Sequence, residues 1–153
     1  MPELLQSPLV DAAVESFESL AFFFAEIMSD AGAVPGEADG VTAVSFAGPS
    51  RGALVLQLSG GILPALAGNM LGLEETPSSD EQRDALGETA NVICGNLLPR
   101  IAGSTAVFAL TPPTRFESWD AAVAAYGVPA AHVAFDVEGG RADLALVLAP
   151  SAA

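Results

Sequence analysis

The chain has 153 residues, 51% of them hydrophobic, and a formal charge of −14, with five Arg and no Lys. That length and apolar content suit a single globular domain over residues 1–153 and exclude a disordered chain. The acidic surface argues against nucleic acid and anionic membrane as partners and favours a protein with basic patches.

The N-terminus has no basic residue ahead of its first apolar run, which predicts no signal peptide. Leu9 to Met28 has helical period. Leu9, Ala13, Phe17, Leu20, Phe24 and Ile27 form one face, and Asp11, Glu15, Glu18, Phe22 and Glu26 form the other. Pro8 suits its start and Gly32 follows its end. The acids interrupting Phe22-Phe23-Phe24 keep this segment from spanning a bilayer. Val41–Ala47 and Ala53–Leu58 read as two strands joined by the hairpin loop Gly48-Pro49-Ser50-Arg51-Gly52. Ile62–Leu71 is a short apolar helix closed by Gly72, followed by a polar linker from Glu74 to Asp80.

A long helix then runs to about Ile101, capped by Ser79 or Asp80 and stopped by Gly103. Pro99 either kinks its last turn or ends it at Leu98. Ser104–Leu110 reads as a strand, Phe116–Tyr126 as a short helix or loop around Trp119, and Ala131–Val137 and Ala142–Leu148 as strands about a Glu138-Gly139-Gly140-Arg141 hairpin. The last strand is apolar almost throughout, which marks a central position. Helix, strand pair and short helix, then long helix and strands again, make a pseudo-repeat of two halves. The expected fold is α/β of the α+β type: two long helices on one face of a largely antiparallel sheet of about five to six strands.

The long helix carries the most distinctive pattern. At 100° per residue, Asp84, Glu88, Asn91 and Gly95 share an arc of about 60°, roughly opposite the apolar stripe of Leu86, Ala90, Ile93, Leu97 and Ile101. Two carboxylates, a carboxamide and bare backbone on one exposed arc can bind and do chemistry, where a merely solvated helix would carry mixed charge. The same frame laid on the first helix gives Asp11, Glu15, Glu18 and Phe22, either a degenerate second copy or a plain acidic face. Exposed Phe22 would suit a partner or self-association contact.

Other residues invite plainer readings. Cys94, the one cysteine, forms no intrachain disulfide, fits a reducing cytoplasm and sits near the apolar arc as a small hydrophobe. His132, the one histidine, alternates with Ala134 and Asp136 and reads as solvent-facing or at a sheet edge. One His and one Cys give little support to a metal site or a catalytic triad. Arg51 and Arg141 occupy equivalent hairpins and mark the repeat.

The helix pattern Asp84-x3-Glu88-x2-Asn91-x3-Gly95, with Phe46-Ala-Gly-Pro-Ser-Arg-Gly52-Ala-Leu-Val-Leu and Leu66-Ala-Gly-Asn-Met-Leu-Gly72 before an acidic linker, resembles the CheC/CheX/FliY family of chemotaxis phosphatases, closest to the CheX type. The resemblance covers nearly the whole chain. It implies a protein phosphatase that removes phosphate from a phosphorylated CheY-like receiver, with no cofactor of its own and Mg²⁺ held by the receiver. One intact motif matches the CheX type, which implies a homodimer. In the implied chemistry Asn91 orients the attacking water, since a carboxamide both donates and accepts hydrogen bonds. Glu88, one turn earlier, pairs with a receiver cation such as its active-site Lys. Gly95 leaves room for a partner backbone and Asp84 contacts the partner's rim or favours the helix N-terminal half. Val92 and Leu98 flank the arc as apolar partner contacts. The rival reading is a non-catalytic module that docks receivers or flagellar-switch proteins through the same helix.

Overall fold

The computed structural model describes residues 2–149, with side chains from Leu5 onward. The elements are α1 (Pro2–Ala21), β1 (Ala25–Ile27), β2 (Gly40–Ala47), β3 (Arg51–Ser59), α2 (Leu63–Leu71), α3 (Ser79–Ala102), β4 (Ala109–Leu110), β5 (Thr114–Phe116), α4 (Trp119–Tyr126), β6 (Ala131–Val137) and β7 (Gly140–Leu148). Among the described residues, seven strands form one antiparallel sheet in the order β1-β6-β7-β3-β2-β4, with β5 also pairing β2. The sheet is thus larger than the expected five to six strands. The two hairpins were legible. The additional strands are pieces of two or three residues at the margins, too short to show a period.

The apolar strand β7 is central as expected, between β6 and β3. Its pairing with β3 joins the two halves of the pseudo-repeat, each a long helix, marginal strand and hairpin. The marginal strands cross over: β1 follows α1 but pairs β6, while β4 and β5 follow α3 but pair β2.

Alternation along the strands decides the layers. Leu54, Leu56 and Leu58 of β3, Leu144 and Leu146 of β7, and Val133 and Phe135 of β6 face the main core, which α1, α2 and α3 close with Phe17, Leu66, Ile93 and Leu97. The long helices lie antiparallel: Asn96 donates to Ser16 Oγ at 2.9 Å, and Arg100 forms an ion pair with Glu15. The opposite sheet face is not bare, as an arrangement with helices on one side would leave it. Val41, Ala43, Val55 and Ala145 form a second cluster there with Ala122 of α4, flanked by Phe116, Trp119 and Tyr126.

Several element boundaries differ from the sequence reading. The first helix begins at Pro2 and not at Leu9, so Pro8 lies inside it and not at its start. The first helix ends at Ala21 and not at Met28, because Phe22 takes a left-handed conformation (φ 57°). Its N–H donates to Glu18 O, the bond of a left-handed helix cap, and Phe23 N–H donates to Phe17 O. Such a terminus is usually signalled by glycine, so a phenylalanine there hid it. This puts Phe23 in the core and leaves Phe22 75% exposed. The cap of α3 is Ser78, one residue before the expected pair. Its Oγ accepts from Glu81 N–H at 3.1 Å while Glu81 Oε1 accepts from Ser78 N–H at 2.9 Å. Of the expected strand Ser104–Leu110, only Ala109–Leu110 pairs with the sheet. Pro99 lies within the last turns of α3, which continues to Ala102 and stops at Gly103 as expected.

Cys94 is fully buried in the main core, and burial pushes its thiol up to about 12. The reactive thiolate is therefore scarce near neutral pH. Native protein should label with a thiol reagent far more slowly than protein in denaturant. Comparable rates in the two conditions would show that Cys94 is accessible.

Candidate functional site

Helix α3 positions the site. The capping box fixes its start, and Ala90, Ile93, Cys94 and Leu97 fix its rotation by entering the core without exposure. That rotation turns Asp84, Glu88 and Gly95 fully outward and leaves Asn91 half-exposed. Among the described residues, the side chains of Asp84, Glu88 and Asn91 make no intramolecular hydrogen bond or ion pair. They are available to an incoming group. A Cβ on Gly95 would meet no atom within 4 Å, so the helix surface there is open to a partner. Val92 is half-exposed beside the arc. Leu98 is not a surface contact: it is 3% exposed and belongs to the main core, although it lies only about 20° from Asn91 around the helix.

The arc stands as a ridge between two grooves. The first, of about 510 Å³, lies between α3 and the segment leading into β5, and its walls include Glu88, Asn91, Thr42, Pro113 and Arg115. Gly87 makes this groove possible. Pro113 packs so close that a Cβ on Gly87 would lie 3.0 Å from both its Cβ and Cγ. The second groove, of about 380 Å³, lies on the other side of Asp84 and Glu88 and has an apolar wall of Leu20, Met70 and Leu71. Sequence reasoning missed both sets of walls. The Thr111-Pro-Pro-Thr-Arg115 segment has no period, and only the sheet register sets Arg115 opposite Thr42.

The corresponding face of α1 is built differently. Asp11, Glu15 and Glu18 are exposed, but Glu15 is engaged by Arg100, and Phe22 lies past the end of the helix. The frame on α1 therefore lacks a continuous helical surface where α3 has Gly95.

His132 and Arg141 have roles that the sequence reading did not assign them. His132 is not freely solvated, and it sits on the stretch of β6 that β1 leaves uncovered, since β1 pairs only Phe135 to Val137. It is 24% exposed, stacks against Trp119 at 5.2 Å, and lies 3.0 Å from Asp143 Oδ1. Arg141 clamps the same fully buried Asp143 carboxylate with two bonds, at 2.9 and 2.8 Å, and donates to Ala31 O. Burial alone would raise the Asp143 pKa. Hydrogen bonds from His132 and Arg141, together with their charges, outweigh it and hold the carboxyl below its usual range. This cluster lies on the sheet face opposite α3, where Arg141 ties down the loop before β2. Among the described residues, no three His, Cys, Asp or Glu side chains converge to hold a metal ion, and no helix is long and apolar enough to cross a membrane.

A helix layer on one antiparallel sheet is a fold shared with solved chemotaxis proteins. The family model for the chemotaxis phosphatase CheX matches residues 41–136, and the chain belongs to that family. CheX from Desulfovibrio desulfuricans shares the fold with a TM-score of 0.74 at 17% identity, covering 95% of this chain and 99% of that one. CheX from Vibrio vulnificus aligns with a TM-score of 0.71 at 15% identity, over 94% and 95% of the two chains. CheX of Borrelia burgdorferi, in its complex with CheY, BeF3 and Mg²⁺, aligns with a TM-score of 0.70 at 16% identity, over 95% and 98%. None of the curated proteins matches the sequence.

Proposed function

We propose that this protein hydrolyses the aspartyl phosphate of a CheY-like response regulator, using the exposed arc of α3. The observation that carries the reading is the pairing of Glu88 and Asn91, one turn apart on a ridge with no intramolecular partners among the described residues. In the reaction, a water oxygen attacks phosphorus and the bond from phosphorus to the aspartyl oxygen breaks. Inorganic phosphate departs, the receiver's carboxylate is regenerated, and the water's proton passes to the phosphate or solvent. An acyl phosphate is already reactive, so the task is to hold water in line with the breaking bond. Asn91 performs it: its carboxamide oxygen accepts from the water while its N–H₂ is free to donate to the phosphoryl group. Glu88 anchors the receiver through a cation in the phosphorylation cleft. Gly95 lets the receiver's backbone approach, and Asp84 and Val92 contact its rim.

In this reading Mg²⁺ belongs to the receiver, where it neutralises phosphoryl charge. The Borrelia burgdorferi CheX, seen with CheY, BeF3 and Mg²⁺, supports the choice of partner. The family also points to a cytoplasmic homodimer. The test is phosphate release from phosphorylated receiver and Mg²⁺, with and without this protein. Release accelerated above the receiver's own rate is expected. Binding without acceleration would favour a non-catalytic docking module.

A further inference from the structure

The groove beside Asn91 contains a cation that the proposed mechanism does not use. Arg115 lies on β5, and its register partner is Thr42. Directly paired residues of antiparallel strands project to the same sheet face. Thr42 alternates with Val41 and Ala43 of the α4-side cluster, so Thr42 and Arg115 face the α3 side. Both line the groove whose opposite wall holds Glu88 and Asn91. Pro113, seated against Gly87, pins this segment to the helix two residues before Arg115.

The chain has five arginines to balance 19 acids. Arg83, the other cation of the groove, is held by Asp80 at 3.2 Å, Arg100 by Glu15 and Arg141 by Asp143. Among the described residues, Arg51 and Arg115 have no carboxylate within ion-pair distance; Arg51 lies in the β2–β3 hairpin away from this groove, whereas Arg115 lines it together with Glu88 and Asp84. An exposed guanidinium without a partner, on a surface of net charge −14, is a ready anion site. It offers five donors in a planar fork that matches phosphoryl oxygens.

We infer that Arg115 contacts the phosphoryl group of the docked receiver, holding its non-bridging oxygens from across the groove while Asn91 positions the water. The inference rests on the proposed phosphatase reading and adds a cationic counterpart to it. Near Glu88 and Asp84, an incoming phosphoryl group meets like charge. Arg115 offsets that repulsion and favours the phosphorylated receiver over the unmodified one.

The experiment compares the affinity of wild-type protein, Arg115→Ala and Arg115→Lys for receiver loaded with BeF3 and Mg²⁺ and for the same receiver with Mg²⁺ alone. Wild type should prefer the loaded form. Losing a charge-assisted contact predicts that Arg115→Ala reduces this preference about 10-fold or more, with Arg115→Lys keeping part of it. An unchanged preference in Arg115→Ala, an equal loss of affinity for both forms, or a wild type without preference each overturns the inference. Phosphate release separates it from the reading beneath it. If wild type accelerates release, Asn91→Ala does not and Arg115→Ala is unaffected in both assays, the phosphatase stands and the Arg115 role fails. If no protein accelerates release but the preference depends on Arg115, the phosphoryl contact stands and the catalytic reading fails.

Discussion

Asn91→Ala is expected to reduce phosphate release to the receiver's own rate while leaving receiver binding nearly unchanged. The carboxamide is half-exposed on α3 and contributes nothing to the core, so its loss should not disturb the fold. Under the proposed mechanism it removes the group that aligns the water, and misplacing a reacting water by about 1 Å costs on the order of 100-fold in rate. Glu88→Ala should show the opposite division. The half-saturating receiver concentration rises because an ion pair desolvated on docking is lost, at a cost of about 2–5 kcal/mol. Stopped-flow or fluorescence measurements over a range of receiver concentrations separate the two effects. Wild-type turnover in Asn91→Ala would remove Asn91 from the mechanism. Wild-type binding in Glu88→Ala would remove Glu88 from the anchor.

Asp143→Asn should produce the largest loss of stability from a single polar substitution. The carboxylate is 0% exposed and answers both Arg141 and His132. The amide keeps the shape but leaves Arg141 partly buried without its counter-charge, which costs about 3–5 kcal/mol. Urea unfolding near neutral pH should show a lower midpoint with an unchanged slope. The pH dependence has a definite sign. The folded carboxyl has a lower pKa than the unfolded one, so its contribution is complete above the ordinary carboxylate range. It is lost as pH falls through the folded value. The gap between wild type and variant should therefore narrow in acid, and a gap that widened would contradict the ion cluster. Because Asp143 lies on the sheet face away from α3, phosphate release per folded molecule should be unchanged.

Much of this was legible because it follows from periodicity. The stripe Leu86, Ala90, Ile93 and Leu97 repeats with the helix, so it fixed both the core face of α3 and the outward direction of Glu88 and Asn91. The hairpins β2–β3 and β6–β7 were legible from apolar strands bounded by glycine. The end of α1 was not, because a left-handed Phe22 carries no glycine signal. Leu98 was misplaced because it shares the angular side of Asn91, about 20° away, and only the packing of distant segments over that end of α3 buries it.

The sequence by itself determined the secondary elements with strong periods, the acidic surface and the polar arc of α3. These depend on residues a few positions apart, where helix and strand geometry is fixed by the backbone. Tertiary structure alone decided what surrounds that arc. It set Pro113 against Gly87, placed Arg115 beside Thr42 across from Asn91, and turned His132 and Arg141 onto one buried carboxylate. Apart from Arg141, which stands two residues from Asp143 on β7, those partners are 11 to 73 residues apart, and no local pattern encodes a distance across the sheet.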